Sequence, residues 1–157
     1  MGSSERRADN PASSDVCSGM IRTFLTRAVE FPAGHRYVRA DWTESENQAR
    51  FGRCYRPPGH GHNYRVEVTV SGEANPETGM IVDLGELDGI LDREVVQPMD
   101  HAFLNELPEF AGGLIPTTEN LSHVIWNRIE HHLPGNVALT RVRVREDRNL
   151  WAECTRE

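Results

Sequence analysis

Lysine is absent from the sequence: all 17 basic residues are arginines, against 24 aspartates and glutamates. The resulting net charge of −7 argues against a broad nucleic-acid-binding surface, which requires a basic face. It still allows a local basic pocket for a small anion. No apolar run reaches the roughly 18 residues of a membrane span. We therefore expect neither a nucleic acid nor a membrane as partner.

Cysteine is also scarce. Cys17, Cys54 and Cys154 are odd in number and irregular in spacing, which does not favour a disulfide framework. No apolar segment typical of a secretory signal follows Arg6 and Arg7. These absences predict a reducing, cytoplasmic location.

The chain divides into two parts by composition. Residues 1–19 are rich in Ser, Asp, Arg and Ala without hydrophobic periodicity, which predicts a disordered leader. Met20 is then a candidate start of translation. Residues 20–157 have the length of one domain.

Hydrophobic periodicity predicts four strands and two helices in that domain. The strands are expected over 21–31, 62–71, 139–145 and 150–154. One helix follows the capping residue Asp83 and ends at Pro98, and the other begins near Thr117. The first helix should bury one stripe, formed by Leu84, Leu87, Leu91 and Val95. Residues 38–53 predict a long loop with some helix. This order is typical of an α+β domain with an antiparallel sheet and helices on one face.

The segment around His60-Gly61-His62 is the sharpest local signal. Side chains two apart in a strand point the same way, so His60 and His62 can reach one ion. A catalytic zinc typically takes three protein ligands and keeps one position open. His35 is the candidate third ligand, because strand pairing would bring it beside the second strand. The alternative is a pair of exposed histidines near a turn.

Two further sets of residues have both a functional and a plain interpretation. Cys54 is either a thiolate whose pKa is lowered by a nearby cation and histidine, or a small buried apolar residue. Asp100 could orient His101 and stabilise its charged form, or both could be polar loop residues.

Glu146 shares the strand face of the apolar residues Val142 and Val144. A carboxylate there requires a partner, and an N–C–N donor edge of a heterocycle would fit both oxygens. The alternative is a strand-end glutamate that reaches water. Thr117, Thr118 and Glu119 are sufficiently explained as a helix start.

In order along the chain, the segments FPAGHR, FGRCYRPPGHGHNYRVEVTVSG, TGMIVDLGEL, PMDHAFLN, PTTENL and VRVRE resemble the 6-pyruvoyl-tetrahydropterin synthase family. This family includes the 6-carboxytetrahydropterin synthases of queuosine biosynthesis, and the resemblance covers about residues 21–157. It implies the tunnelling fold, or T-fold. In that fold the subunits join their sheets into a barrel, usually as a homohexamer of two trimers, with active sites at subunit boundaries.

The resemblance also implies a role for each candidate residue. The zinc ligands would be His35, His60 and His62. The catalytic residues would be Cys54, Asp100 and His101. Glu146 would anchor the 2-amino and ring N–H edge of the pterin, and the segment lining the pterin pocket would be Thr117, Thr118 and Glu119.

The implied activity is that of a zinc-dependent lyase acting on 7,8-dihydroneopterin triphosphate. One branch of the family forms 6-pyruvoyl-tetrahydropterin with triphosphate elimination, for tetrahydrobiopterin biosynthesis. The other forms 6-carboxy-5,6,7,8-tetrahydropterin and acetaldehyde. Five residues between Cys54 and His60 resemble the pyruvoyl branch, but bacterial members of the carboxy branch share this spacing, so both remain open.

Two other functions are compatible with a zinc site. A catalytically silent pterin- or purine-binding T-fold module would keep zinc for structure, but the joint presence of Cys54, Asp100 and His101 argues against it. An unrelated zinc hydrolase would require a general-base carboxylate beside the metal, and the sequence has no HExxH-like element.

Overall fold

The computed structural model describes residues 22–156, so the leader predicted over 1–19 lies outside the described residues. Its four strands form one antiparallel sheet in the order β1-β2-β3-β4, which confirms the predicted sheet. The strands are β1 (Phe24–His35), β2 (His60–Gly72), β3 (Val137–Arg145) and β4 (Trp151–Thr155). Strand β1 continues four residues beyond its predicted end at Phe31, and His35 is therefore its last residue.

Within residues 22–156, five α-helical segments accompany the sheet. They are α1 (Glu44–Phe51), α2 (Leu84–Leu91), α3 (Gln97–Met99), α4 (Pro108–Ala111) and α5 (Thr118–Glu130). Helix α1 lies within the segment predicted as a loop with some helix. It begins with a capping box, in which Thr43 accepts from the Glu46 backbone N–H and the Glu46 carboxylate accepts from that of Thr43.

The first predicted helix begins as expected, because the Asp83 side chain caps it by accepting from the Glu86 backbone N–H, but its end and its buried stripe differ from expectation. A π-helical turn over Asp92–Val96 joins α2 to α3, so the helical run ends at Met99, one residue after Pro98. Proline is tolerated here because it lies in the first turn of α3. Leu84, the first residue of α2, is 46% exposed and does not belong to the buried stripe.

The core lies between the inner face of the sheet and the helices α2 and α5. Strict alternation places Val66 and Val68 of β2 beside Val142 and Val144 of β3, all of them inaccessible to solvent. Complete burial of a side chain of this kind contributes about 1.5–3 kcal/mol. This packing fixes the register of the strands, because a slip by one residue would turn the inner face outward.

The outer face of the sheet is charged instead. Arg65 pairs with Glu30 at 2.8 Å, and Arg143 pairs with Glu153 at 2.6 Å. Across residues 22–156, no helix has the length and apolar character that crossing a membrane requires.

Candidate metal centre and active site

Strand register brings the three predicted ligand histidines together on the inner face. His35 lies opposite His60, and Ala33 lies opposite His62. The Nε2 atoms of His35 and His60 are 3.1 Å apart. The ring centroid of His62 lies 5.0 Å from that of His35 and 4.8 Å from that of His60. Three imidazoles thus converge at the end of β1 and β2.

His35 is completely buried, and groups on the Nδ1 side of its ring fix its orientation. Its Nδ1–H donates to the carbonyl of Pro116 at 2.9 Å, and the Tyr64 hydroxyl lies 3.0 Å from the same nitrogen. With the proton on Nδ1, the Nε2 lone pair points toward the other two histidines. A hydrogen bond of this type fixes the tautomer of a metal-binding imidazole. The sequence analysis does not identify Pro116 or Tyr64 as partners of His35, although Tyr64 is two residues after His62 and therefore shares its strand face.

Glu146 lies inward beside this cluster, with 7% of its surface exposed. Thr118 Oγ1 donates to Glu146 Oε2 at 2.8 Å, and the other carboxylate oxygen lies 2.9 Å from His62 Nε2. His62 Nε2 is nevertheless buried without a hydrogen bond of acceptable geometry. The inward direction agrees with the strand parity, whereas the closeness to His62 was not predicted.

These four side chains fit a metal ion. One ligand atom from each of His35, His60, His62 and Glu146 lies within 4.8 Å of the others. Burial lowers the pKa of His35 and of His62 below the ordinary value of 6.5, which favours the neutral form that binds metals. The orphaned His62 Nε2 would gain a partner by coordination. An imidazole-rich donor set suits zinc.

Cys54 lies in a 3-10 turn before β2 and is half-buried. Its carbonyl accepts from the backbone N–H of Tyr37 at 2.8 Å, which ties the turn to the chain after His35. Burial raises the pKa of the Cys54 thiol, and the negative charge of Glu146 raises it further. The predicted lowering of this pKa depended on a nearby cation, and the protein groups alone act in the opposite direction.

Gly59 explains why the loop after Cys54 can reach the centre. Its φ of +118° favours glycine, and a Cβ there would lie 2.5 Å from the His35 carbonyl oxygen and 2.9 Å from the Phe103 ring. The loop therefore packs directly on the end of β1 and brings His60 into register.

Asp100 and His101 follow α3 along the free edge of β1. The backbone N–H of His101 donates to the Pro32 carbonyl at 2.7 Å, and that of Gly34 donates to the Ala102 carbonyl at 2.8 Å. A φ of +56° at His101 folds the chain so that its Nδ1 lies 3.0 Å from Asp100 Oδ1. The side chains of these two adjacent residues therefore lie together, as the functional interpretation of Asp100 and His101 requires.

The Asp100–His101 pair is not joined to Cys54 within the described chain. The His101 side chain is 80% exposed, and no hydrogen bond among residues 22–156 links either member to the cysteine. His101 and His62 both line a surface depression of about 340 Å³, which neither Asp100 nor Cys54 lines.

The three residues at the start of α5 have different positions. Thr117 caps the helix by accepting from the Asn120 backbone N–H at 3.2 Å. Thr118 is buried and binds Glu146. Glu119 is exposed. Of the three, Thr118 therefore contacts the carboxylate of the site.

Comparison with known proteins identifies the family. Residues 24–157 match the family model "6-pyruvoyl tetrahydropterin synthase". The chain is 40% identical over 126 residues to human 6-pyruvoyl tetrahydrobiopterin synthase, which covers 80% of this chain and 86% of the human protein. It is also 40% identical over 97 residues to a putative 6-carboxy-5,6,7,8-tetrahydropterin synthase of Archaeoglobus fulgidus, covering 62% of this chain and 76% of that protein.

A solved structure shares the architecture. The 6-pyruvoyl tetrahydropterin synthase of Caenorhabditis elegans superposes with a TM-score of 0.80 at 27% identity, covering 88% of this chain and 98% of the nematode chain. This likeness confirms the subunit fold expected from the resemblance, the tunnelling fold. With the match along residues 24–157, it shows that this chain belongs to the 6-pyruvoyl tetrahydropterin synthase family.

Proposed function

We propose that this protein is a zinc-dependent lyase that converts 7,8-dihydroneopterin triphosphate to 6-pyruvoyl-tetrahydropterin with elimination of triphosphate. The main support is the inward convergence of three imidazoles and the Glu146 carboxylate at one end of the sheet. The pyruvoyl product is favoured over the carboxy product because the human relative covers 80% of this chain, against 62% for the archaeal relative.

The metal would be held by the imidazole nitrogens of His35, His60 and His62. Zinc bound there would supply Lewis-acid polarisation of the hydroxyl groups on the substrate side chain. Pro116 fixes the direction of the His35 ring, which prepares the ligand set before any metal binds.

Glu146 is proposed to bind the pterin. An ionised carboxylate offers about four lone-pair sites, and the hydrogen bond from Thr118 occupies one of them. The remaining sites can accept the pterin amino group and the adjacent ring N–H, as a bidentate pair. Burial of Glu146 excludes water as a competing donor and makes this recognition specific.

The Cys54 sulfur is proposed to remove a carbon-bound proton from the substrate side chain. Its raised pKa means that the thiol requires a base, and an imidazole supported by a carboxylate is suited to that role. Asp100 and His101 form such a unit, but on an exposed edge of the same chain. We therefore propose that the pair of one copy acts with the Cys54 of a neighbouring copy.

This arrangement requires a homo-oligomer, which we propose to be a hexamer. Among residues 22–156, no further strand lies beside β4 or beside the part of β1 before Pro32, and pairing between copies would cover these edges. Light scattering should therefore show a hexamer. A fully active monomer at micromolar concentration would contradict the shared site.

The function is tested by identifying the products formed from 7,8-dihydroneopterin triphosphate by the zinc-loaded protein. Mass spectrometry should detect 6-pyruvoyl-tetrahydropterin, and the Cys54→Ala protein serves as the control for spontaneous breakdown. Acetaldehyde together with a 6-carboxy pterin would assign the chain to the other branch. Binding of the pterin without turnover would instead support the silent module.

A further inference from the structure

A row of polar residues crosses all four strands at the opposite end of the sheet from the histidines. Thr26 of β1 pairs with Thr69 of β2, Thr69 pairs with Arg141 of β3, and Arg141 pairs with Thr155 of β4. The hydroxyl oxygens of Thr26 and Thr69 are 2.8 Å apart. The row lies on the outer face, since its members alternate with core residues such as Val68 and Val142.

A β-bulge shapes this row. The register between β2 and β3 shifts between Thr69 and Val70, so that Thr140 is an extra residue on β3. The Thr140 hydroxyl donates to the Thr69 carbonyl at 3.0 Å. Bulges redirect side chains and recur beside functional sites. Here the bulge lets both Thr140 and Arg141 line the same surface.

Arg141 differs from the other arginines of the outer face. Arg65, Arg143 and Arg145 each lie within ion-pair distance of a glutamate. Arg141 has no carboxylate within that distance among residues 22–156, and its one hydrogen bond runs from Nη2 to Thr69 Oγ1 at 3.2 Å. Its Nε is buried without a partner. A partly buried cation without compensation is costly, and an anion beside it removes that cost.

The cavity next to Arg141 has room for an anion and is lined by further positive charge. Its volume is about 500 Å³, and Arg22 and Arg156 also line it. Among residues 22–156, no aspartate or glutamate lines it, although the whole chain has a net charge of −7. Arg156 pairs with Glu130 on the α5 side, which leaves Arg22 and Arg141 as the arginines of the cavity without a described carboxylate partner.

We propose that this cavity binds a small phosphoryl polyanion, of the type of inorganic phosphate or tripolyphosphate. Guanidinium groups match phosphate oxygens in geometry, and the threonine hydroxyls add neutral donors. His35 lies nine positions after Thr26 along β1, so the cavity lies about 30 Å from the histidine centre of the same chain. The anion site is thus separate from the proposed catalytic site and does not depend on the proposed reaction.

The test is titration calorimetry of the full chain with tripolyphosphate, and with orthophosphate as the smaller probe. Arg141→Gln should weaken tripolyphosphate binding by about tenfold or more, because a charge-assisted contact is lost. Arg143→Gln is the matched control: it removes the same charge from the same strand and face, but from a residue paired with Glu67 and Glu153. Its affinity should stay within about twofold of the unaltered protein.

Arg22→Gln removes a second lining charge from an exposed position. This variant tests anion binding in the cavity if Arg141→Gln does not fold. It too should weaken tripolyphosphate binding, with an unchanged unfolding temperature. Absence of binding to the unaltered protein would overturn the proposal. The proposal would also be overturned if tripolyphosphate bound with the same affinity to the unaltered protein, Arg22→Gln and Arg141→Gln. The anion would then bind at another place, such as the histidine centre. If Arg143→Gln lost as much tripolyphosphate affinity as Arg141→Gln, the effect would arise from the overall charge of the sheet face, and the proposed site would be wrong.

Discussion

The histidine centre and the Asp100–His101 pair lie near the same end of β1. They differ in how far residues of a single chain bury and hydrogen-bond their side chains. His35 is fully buried, and hydrogen-bonding groups of Pro116 and Tyr64 hold its ring. His101 is exposed and held at a φ of +56°, a conformation that costs a non-glycine residue about 1–2 kcal/mol. The His35 ring is thus held by groups of its own chain, whereas the His101 imidazole lies at the surface.

Electrostatics sharpens this difference. Burial lowers the pKa of His35 and His62 and raises that of Cys54, so desolvation favours the neutral form of all three groups. Neutral imidazoles are ready to bind a metal. A neutral thiol does not readily accept a proton, and among residues 22–156 no hydrogen bond joins Cys54 to the Asp100–His101 pair that we propose as its activating base. The histidine centre is therefore assembled within one chain, whereas the proton-transfer site that we propose for Cys54, Asp100 and His101 is not.

The largest effect should follow the loss of a zinc ligand. We expect His60→Ala to lose stoichiometric zinc and turnover together, because even residues behind a ligand are worth about 10–100-fold in metal affinity. Metal analysis of the purified protein measures this directly. His123→Ala, an exposed histidine of α5, is the control and should keep its zinc. Full zinc content in His60→Ala would show that the preformed centre is not the metal site.

Cys54→Ala should have the next largest effect. Turnover should fall by about 10²–10⁴-fold, the usual contribution of a general acid or base, with zinc content and unfolding temperature unchanged. Cys154→Ala alters the other half-buried cysteine of residues 22–156, which lies on β4, and should retain full turnover. A Cys54→Ala protein that unfolds or loses zinc would make this cysteine a structural residue or a ligand.

Much of this centre was predictable because strand geometry is periodic. Alternation placed His60 and His62 on one face and Glu146 on the buried face of the last strands, and the structure agrees. The closeness of Glu146 to His62 was not predictable, because it depends on how the end of β3 lies against β2. The left-handed backbone of His101 also has no local signal, since it arises where the chain leaves α3 and joins the edge of β1.

The end of the first predicted helix and the exposure of Leu84 were likewise not predictable from local sequence. Proline at position 98 was expected to stop the helix, but a π-helical turn before it shifts the phase and lets the helix run to Met99. Such a turn is set by packing of the flanking helices on the core, which no window of the sequence reports. Leu84 fits the apolar period and is still exposed, because a helix end need not face the sheet along its whole length.

Glu146→Gln should weaken pterin binding by about 2–5 kcal/mol, the cost of breaking a buried, hydrogen-bonded charge pair. Glutamine keeps the shape but replaces one acceptor oxygen with a donor amide, which opposes the N–H edge of the pterin. Titration calorimetry with the pterin measures the change. Zinc content should stay the same, and its loss would instead make Glu146 the fourth ligand of the histidine centre. Unaltered pterin affinity would remove this residue from the site.

Mixing two inactive variants tests whether the incomplete region is completed by a neighbouring copy. Cys54→Ala and His101→Ala, unfolded and refolded together, should regain turnover, because some boundaries then combine an intact Cys54 with an intact Asp100–His101 pair. Each variant refolded alone is the control and should stay inactive. If verified mixed oligomers did not regain turnover, Cys54, Asp100 and His101 would have to act within one chain. The Asp100–His101 pair would then not depend on a neighbouring copy.

The smallest effect concerns the buried imidazoles in the metal-free protein. Burial holds the pKa of His35 and His62 below 6.5 in the folded chain, whereas the unfolded chain takes up these protons near pH 6.5. Between the two values the unfolded state binds more protons, so stability falls as the pH falls through this window. The unfolding temperature of the chelator-treated protein should drop by about 3 °C or more between pH 7.5 and pH 5.5. His62→Gln should make this drop smaller, and His131→Gln, at an exposed position, should leave it unchanged. An identical drop in all three proteins would mean that the histidine centre is solvated in the absence of metal, and hence no better preformed than the His101 edge.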